Sequence, residues 1–134
     1  MNKEYRRGKH SVTSLKSHLV FVTKYRKKIF DAQRLEVLIQ SFFEVAKKMD
    51  FTIVEVNGEG DHVHLLVEYP PRYSVSQLVN HLKGVSSRMY RKQFADSPHA
   101  EHLWSPSYFA CSVGGAPIEV LKEYINNQSR PPLR

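Results

Sequence analysis

The stretch FTIVEVNGEGDHVHLLVEYPP, residues 51–71, contains two strand-like runs separated by a turn. The runs FTIVEV (51–56) and HVHLLVEY (62–69) are rich in β-branched and other apolar residues, which is typical of strands. Between them, NGEGD (57–61) supplies Asn and Gly, which adopt positive φ angles at low cost and favour a turn. The pair Pro70-Pro71 ends the second run, because proline cannot donate a hydrogen bond to a sheet. The stretch therefore predicts two neighbouring strands in the middle of the chain.

Further elements are predicted on either side of this stretch. Apolar residues at helical spacing predict amphipathic helices over about 31–49 and about 74–94. The β-branched and aromatic run from Leu19 to Thr23 predicts a strand, and SYFACSV (107–113) predicts another. Pro117 suits the first turn of a last helix that runs through Asn127. The order is strand, helix, strand, strand, helix, strand. It predicts one domain over 1–134 with an α+β, ferredoxin-like βαββαβ fold, an antiparallel sheet with helices on one face, plus a C-terminal helix.

Two histidines lie at alternate positions of the strand that ends at the proline pair. Because side chains alternate along a strand, His62 and His64 share one face, and Val63, Leu65 and Val67 share the other. The apolar face is expected to pack against the helices, which leaves the histidines on the open face of the sheet. Residues two apart in a strand are separated by roughly 6.6 Å, so two imidazoles can converge on one divalent ion. The alternative is a pair of half-exposed histidines without a ligand.

The last helix carries a tyrosine and a glutamine four residues apart. Tyr124 and Gln128 lie on the same helical face, and Leu121 and Ile125 form the neighbouring apolar stripe that would dock the helix. A phenol is a weak nucleophile near neutral pH because its pKa is about 10. Next to a divalent cation that polarises a phosphate, it can attack phosphorus and form a covalent intermediate. Taken singly, each residue is compatible with an ordinary structural or surface role.

Positive charge is concentrated near the N-terminus. The formal net charge is +7, and residues 1–28 contain nine Lys or Arg against one acid, whereas the remainder contains eleven against twelve. This distribution indicates a polyanionic partner, most often nucleic acid, with a solvated basic tail as the alternative. Two clusters provide cations for phosphates and one aromatic ring for an unstacked base. The candidate DNA-binding residues are Lys24, Tyr25, Arg26, Lys27, Lys28, Lys83, Arg88, Arg91 and Lys92.

Composition excludes several classes of protein. The single cysteine, Cys111, rules out an internal disulfide and a cysteine-rich zinc site. No apolar run approaches the roughly 18–20 residues that span a bilayer, and no apolar segment typical of a secretory signal follows the basic N-terminus. A cytoplasmic protein without a membrane partner is therefore expected.

The chain resembles a known family at the motifs described above. His62-Val63-His64, with a single Tyr-x-x-x-Gln on the C-terminal helix, resembles the His-hydrophobic-His, single-tyrosine transposases of the insertion-sequence 200/605 family. Four blocks, HLVFVTKYRKKIF, GDHVHLLVEYPP, LWSPSYFACSVGG and EYINNQ, look like stretches of those enzymes in the same order. The resemblance extends over 18–128, so it involves nearly the whole chain.

The resemblance implies a role for each residue of the motif. His62, His64 and Gln128 would be metal ligands, and Tyr124 would be the nucleophile. Mg²⁺ or Mn²⁺ suits a site of imidazoles, an amide and phosphate oxygens. Enzymes of the family nick single-stranded DNA at element ends, hold the 5′ end as a phosphotyrosine, and rejoin strands without a nucleotide cofactor. Asp61 adjoins the site and is interpreted as a turn residue, with orientation of a histidine as the alternative.

The resemblance also implies partners and an assembly. Relatives recognise DNA hairpins and work as homodimers, commonly with the tyrosine supplied in trans, and the flexible pair Gly114-Gly115 before the last helix would permit such an exchange. Trp104 and Phe109 are interpreted as core residues rather than base-stacking platforms. Only SRPPLR follows Gln128, which is shorter than the tail of many relatives.

Two other functions remain compatible with the sequence. A related nickase could use the same chemistry on plasmid origins or dispersed genomic repeats. A non-catalytic domain of this topology could bind nucleic acid on its open sheet face, although that function leaves the histidine pair and Tyr124 unexplained.

Overall fold

The computed structural model describes residues 5–95, 102–113 and 118–127. Within these residues there are two short strands, a four-stranded sheet, one 3-10 turn and three helices. In chain order the elements are β1 (Arg6–Arg7), β2 (Val12–Thr13), β3 (Lys16–Val22), the 3-10 turn (Lys24–Arg26), α1 (Ala32–Met49), β4 (Thr52–Glu59), β5 (His62–Glu68), α2 (Val75–Gln93), β6 (Phe109–Ser112) and α3 (Ile118–Asn126).

The main sheet has the strand order β4-β5-β3-β6, and every hydrogen-bonded pair in it is antiparallel. The sequence of elements from β3 to β6 is strand, helix, strand, strand, helix, strand. Each helix thus connects two strands that are separated by a third strand in the sheet. This confirms the predicted ferredoxin-like α+β fold.

The hairpin β4–β5 differs from the prediction in the length of its turn. Residues 57–59 continue β4 and pair with β5, with Asn57 opposite His64 and Glu59 opposite His62. Only Gly60 and Asp61 form the turn, so the prediction of a turn over 57–61 was wrong. Pairing with β5 outweighs the weak strand preference of Asn and Gly, since each paired residue adds hydrogen bonds to the ladder.

The other boundaries shift by a few residues. β3 begins at Lys16 rather than Leu19, and β6 is limited to 109–112. The segment 114–117, which includes Gly114-Gly115 and Pro117, lies outside the described residues. The additional pair β1–β2 was not predicted. It lies beside β5, where Arg6 donates to both carboxylate oxygens of Glu68 at 2.8 Å.

The two faces of the sheet have different coverings. On one face, apolar side chains of β3 and β5 form the main core with α1 and α2, and most of them are fully buried. Val63, Leu65 and Val67 belong to this core, as their alternation predicted. The core residues shared by the sheet and the two helices include Leu19, Phe21, Leu38, Phe42, Leu78, Leu82 and Tyr90.

The opposite face of the sheet carries a second, smaller cluster. Val20 and Val22 of β3 are fully buried there and pack against Phe109 of β6 and against Tyr124 and Ile125 of α3. The C-terminal helix therefore lies on the face of the sheet where the alternation of side chains along β5 places His62 and His64. Among the described residues, no helix is long and apolar enough to cross a bilayer.

Candidate active site

The two histidines of β5 lie side by side on the face that α3 partly covers. His62 is opposite Val22 of β3, and His64 is opposite Val20. Both imidazoles are half-buried, and the residues on either side of His64 along β5 are fully buried in the core. The predicted placement of the pair on the second face of the sheet is therefore confirmed, and strand pairing rather than a loop holds the two rings.

His62 is held by a buried carboxylate. Its Nδ1 lies 2.8 Å from Oδ1 of Asp61, which also accepts a hydrogen bond from Nε of Arg26 to Oδ2 at 3.0 Å. Burial opposes ionisation of Asp61, but the hydrogen bonds from His62 and Arg26 outweigh it and hold the pKa of the carboxyl below its usual range. Because an ionised carboxylate only accepts hydrogen bonds, Nδ1 of His62 is the donor in this contact, and Nε2 is the ring nitrogen not used in it.

The preferred interpretation of Asp61 as a turn residue alone was wrong. Asp61 does occupy the β4–β5 turn, yet only 6% of its surface is exposed and its side chain orients a histidine. A carboxylate that fixes the tautomer of a ligating histidine is a common feature of metal sites.

A third histidine, His18 of β3, lies on the same face of the sheet. Its Nδ1 lies 2.9 Å from Nε2 of His64, and the two rings stack with 5.1 Å between their centroids. Burial and the neighbouring His18 lower the pKa of His64, so its imidazole is neutral at pH 7. Sequence analysis missed His18, although it alternates with Val20 and Val22 and so shares their face.

A cavity of about 370 Å³ separates the histidines from α3. The sheet contributes the two imidazoles, an amide and a carboxylate to its walls, and α3 contributes an ammonium, an apolar side chain and a second amide. The described residues that line the cavity are Val20, Asn57, Glu59, His62, His64, Lys122, Ile125 and Asn126.

Tyr124 lies on the same helix but contacts a different part of the sheet. Its hydroxyl is 3.0 Å from Oγ of Ser107, and its ring packs against Phe109 with 5.3 Å between the centroids. Tyr124 is not among the described residues that line the histidine cavity. Gln128 lies outside the described residues, so its predicted role as a ligand stays a prediction.

Lys83 of α2 holds the segment that contains Ser107, the hydrogen-bonding partner of Tyr124. Its Nζ donates to the backbone oxygens of Ser105 and Ser107 at 2.7 and 2.8 Å, and it lies near the rings of Phe21 and Tyr108. Burial lowers the pKa of Lys83 to about 8. The ammonium predicted to contact DNA is thus used, at least in part, to hold the segment that precedes β6.

The first basic cluster surrounds the 3-10 turn that follows β3. Tyr25 is 48% exposed, and Lys28 is exposed, whereas the side chain of Arg26 is largely buried against Asp61. Lys24 and Tyr25 line a groove of about 460 Å³ that also includes Ser107, the hydrogen-bonding partner of Tyr124.

The second basic cluster lies on α2, with Arg88 and Lys92 exposed and Arg91 half-buried. Helix α2 packs on the face of the sheet opposite the histidines. The assignment of these cations to DNA stays a prediction. Trp104 packs against Phe21 and Phe30 in the main core, and Phe109 packs under Tyr124, which is consistent with their interpretation as packing residues.

The histidine pair provides part of the set of ligands that a divalent metal needs. Nδ1 of His62 is turned to Asp61, which leaves Nε2 for a metal, and the lowered pKa of His64 favours its neutral form, which is the state that binds a cation. Within the described part of the chain, no group of three or more His, Cys, Asp or Glu side chains is arranged to hold a metal. The pair therefore fits a site that needs another kind of donor, such as an amide or phosphate oxygen.

Comparison with known proteins identifies the family. A family model described as IS200-like transposase matches residues 11–128, and the chain belongs to this family of transposases. It is 30% identical over 122 residues to a transposase for insertion sequence element IS200 from Salmonella typhimurium, in an alignment that covers 89% of this chain and 80% of the relative. The ISDra2 transposase TnpA of Deinococcus radiodurans is 27% identical over 128 residues, which cover 93% of this chain and 91% of that protein.

Solved structures support the same fold. A crystal structure of a Deinococcus radiodurans R1 protein described as a transposase superposes with a TM-score of 0.87 at 28% identity, and covers 94% of this chain and 99% of that one. A REP-associated tyrosine transposase bound to a REP hairpin gives a TM-score of 0.58 at 13% identity, with 93% of this chain and 69% of that chain covered. At that identity the likeness concerns the fold alone. The predicted family and the predicted enzyme class, a transposase, are confirmed.

Proposed function

We propose that this transposase cuts and rejoins single-stranded DNA at the ends of an insertion element, with Tyr124 as nucleophile. His62, His64 and Gln128 would bind Mg²⁺ or Mn²⁺, which polarises the scissile phosphate and orients the leaving oxygen. The observation that carries this proposal is the pair of strand-held imidazoles, His62 and His64, which line a cavity beneath the helix bearing Tyr124.

The proposed chemistry is one exchange at phosphorus, followed by its reverse. The phenol oxygen of Tyr124 attacks the phosphate, the bond from phosphorus to the 3′ oxygen breaks, and the 5′ end stays on the tyrosine. The phenol loses its proton to solvent, and the departing 3′ oxygen takes up one proton. A new 3′ hydroxyl then attacks the phosphotyrosine and releases Tyr124, so the number of phosphodiester bonds is conserved and no nucleotide cofactor is consumed.

We infer further that the active enzyme is a homodimer in which α3 supplies Tyr124 to the histidines of the partner chain. Support comes from the position of α3 on its own sheet, where Lys122, Ile125 and Asn126 line the histidine cavity while the Tyr124 hydroxyl is bonded to Ser107. The phenol oxygen must approach the metal for the chemistry described above. A change in how α3 docks is therefore part of the proposal.

The substrate is proposed to be single-stranded DNA that carries a hairpin near the element end. Lys24, Lys27 and Lys28 lie on the segment beside the groove that leads to Ser107, where Tyr25 exposes its ring for an unpaired base. The exposed Arg88 and Lys92 of α2 suit the phosphates of a duplex stem.

The experiment that tests this function uses the element end that flanks the gene. Single-stranded oligonucleotides carrying that end, with its hairpin, are incubated with the purified protein in the presence of Mg²⁺, Mn²⁺ or excess EDTA. We expect a nick at one position, a free 3′ hydroxyl and a covalent protein–DNA adduct in the two metal samples and none with EDTA. His64→Ala should remove cleavage and leave hairpin binding largely intact. Undiminished cleavage in EDTA would contradict the proposed metal site.

A further inference from the structure

We propose that Arg26 is a positioning residue of the metal site, acting through Asp61 on His62, and not a contact for DNA phosphates. This inference rests on the proposed function, because it concerns the histidine that would bind the metal. It gives Arg26 a role different from that of the other cations in residues 24–28, all of which were predicted from their charge to contact DNA.

The first support is a continuous chain of buried contacts. Nε of Arg26 lies 3.0 Å from Oδ2 of Asp61, and Oδ1 of the same carboxylate lies 2.8 Å from Nδ1 of His62. The side chains of Arg26 and Asp61 are only 12% and 8% exposed. A guanidinium at this depth, paired with a carboxylate, has little surface left for a phosphate, so its main electrostatic partner is Asp61.

The second support is the backbone of the 3-10 turn. Tyr25 and Arg26 both have positive φ angles, 59° and 56°, which side-chain-bearing residues adopt at a cost. Flanking contacts keep this conformation in place: Thr23 Oγ1 donates to the backbone oxygen of Lys27 at 2.7 Å, and Thr23 N donates to that of Asp61 at 2.9 Å. The strained turn brings the Arg26 side chain back over the sheet toward Asp61.

The third support is what Arg26 does to the orientation of the carboxylate. With one oxygen held by Arg26, Asp61 presents its other oxygen to His62 in a fixed direction, which fixes the protonated nitrogen and the plane of the imidazole. Without the guanidinium, the buried carboxylate keeps one strong partner and can rotate or bind water. His62 would then exchange between its two tautomers, and the nitrogen that faces the cavity would bear a proton part of the time.

Arg26 also reaches the nucleophile helix. Its Nη1 lies 3.4 Å from the backbone oxygen of Asn126, at the C-terminal end of α3, where a cation is favourable. One side chain thus contacts the turn that orients His62 and the helix that bears Tyr124. This contact is longer than the one with Asp61, and the proposal does not depend on it.

The test compares Arg26→Met with Lys28→Met, which removes a charge from an exposed position of the same segment. In the metal-free protein, long-range ¹H–¹⁵N spectra of the histidine rings report the tautomer of His62. We expect the Nδ1–H form in the wild type and in Lys28→Met, and a mixture of tautomers in Arg26→Met. Titration with Mn²⁺ alone should show at least about 10-fold weaker binding to Arg26→Met, the usual cost of losing a group that orients a ligand, and unchanged binding to Lys28→Met.

A labelled DNA hairpin with single-stranded flanks, in EDTA, provides the complementary readout. Arg26→Met should bind it within about 2-fold of wild type with an unchanged salt dependence, whereas loss of a phosphate contact reduces the salt slope by about one. A wild-type tautomer and wild-type Mn²⁺ affinity in Arg26→Met, together with a reduced salt slope, would overturn the proposal.

If Arg26→Met does not fold, Arg26→Gln and Asp61→Asn are measured instead, and each is expected to mix the tautomers of His62. The spectra need neither metal nor DNA. A wild type that fails to bind Mn²⁺ or to cut DNA would therefore refute the proposed function, while the tautomer of His62 would still decide the role of Arg26.

Discussion

Nδ1 of His18 lies 2.9 Å from Nε2 of His64, and the two rings stack across neighbouring antiparallel strands. The candidate site therefore extends beyond the two histidines of one strand. Because one of these two nitrogens must donate and the other accept, the hydrogen bond requires one of the two nitrogens to be unprotonated. A doubly protonated pair would place two positive charges in a half-buried position, which Coulomb repulsion disfavours.

This pairing predicts the effect of His18→Phe on the protonation of His64. The variant keeps a stacked ring and removes the neighbouring imidazole, so the pKa of His64 should rise but stay below its usual 6.5, because burial is the main cause of its lowering. NMR titration of the ring protons in the metal-free protein measures it. His81→Phe, which alters an exposed histidine on α2, is the control. An unchanged pKa of His64 in His18→Phe would show that the two rings do not interact.

The assembly is tested by complementation between two inactive variants. Tyr124→Phe lacks the nucleophile, and His62→Ala/His64→Ala lacks the histidine ligands, so neither should nick DNA alone. After subunit exchange, a mixture should regain cleavage, since a trans arrangement rebuilds one intact site in each heterodimer. If each site forms within one chain, every site in the mixture lacks a component. Persistent inactivity with heterodimers demonstrated by differential tags would then refute the trans arrangement.

The buried amine of Lys83 predicts a pH dependence of stability. Its pKa is about 8 in the folded protein and near its usual 10.5 in the unfolded chain. Between these values the unfolded chain binds more protons, so the free energy of unfolding should rise with pH, whereas below about pH 8 the cost of burying the charge is present in full. Lys83→Met should lack this rise.

Urea denaturation between pH 7.5 and 10 measures the difference between wild type and Lys83→Met. The exposed Lys92→Met serves as the control for a lost surface charge. All titratable groups other than the substituted lysines are common to the three proteins, so only the difference between variants is informative. Identical pH profiles for wild type and Lys83→Met would show that the amine keeps its usual pKa.

Two glycines predict opposite effects of the same substitution. A Cβ at Gly58 of β4 would lie 2.7 Å from Leu35 Cδ2 and 3.2 Å from Val63 Cγ1, so Gly58→Ala forces both side chains to shift where α1 packs on the sheet. We expect a loss of about 1 kcal/mol or more in the free energy of unfolding. At Gly84 of α2 the nearest atom is a flexible Arg88 nitrogen at 3.5 Å, so Gly84→Ala should gain about 0.5–1 kcal/mol through helix propensity. Equal effects at the two positions would contradict the packing of α1 on β4.

The existence and order of the main elements could be predicted from sequence because each has a clear period. Helical spacing identified α1 and α2, and alternation along β5 assigned Val63 and His64 to opposite faces. The boundaries were less accurate where pairing overrides local preference, as in residues 57–59, which extend β4 despite their turn-like composition. The two-residue strands β1 and β2 are too short to show any period.

The site was predicted only as far as local patterns extend. The histidine pair and Asp61 follow from one local stretch, but the residues that contact His64 and Asp61 come from distant parts of the chain. His18 reaches His64 because β3 pairs with β5. Arg26 reaches Asp61 through a turn with positive φ angles, which no pattern in its sequence predicts. The contact of Tyr124 with Ser107 depends on how α3 docks, which no local pattern specifies.

The measurement that tests the central claim most directly is the identity of the residue that becomes covalently attached to DNA. The wild type is incubated with Mg²⁺ and a single-stranded element end, the adduct is digested with protease and nuclease, and the modified peptide is sequenced by mass spectrometry. The chain has seven tyrosines, and the account predicts a nucleotide on Tyr124 alone, full adduct yield in Tyr25→Phe, and none in Tyr124→Phe. An adduct on another residue, or one that still forms in Tyr124→Phe, would contradict it.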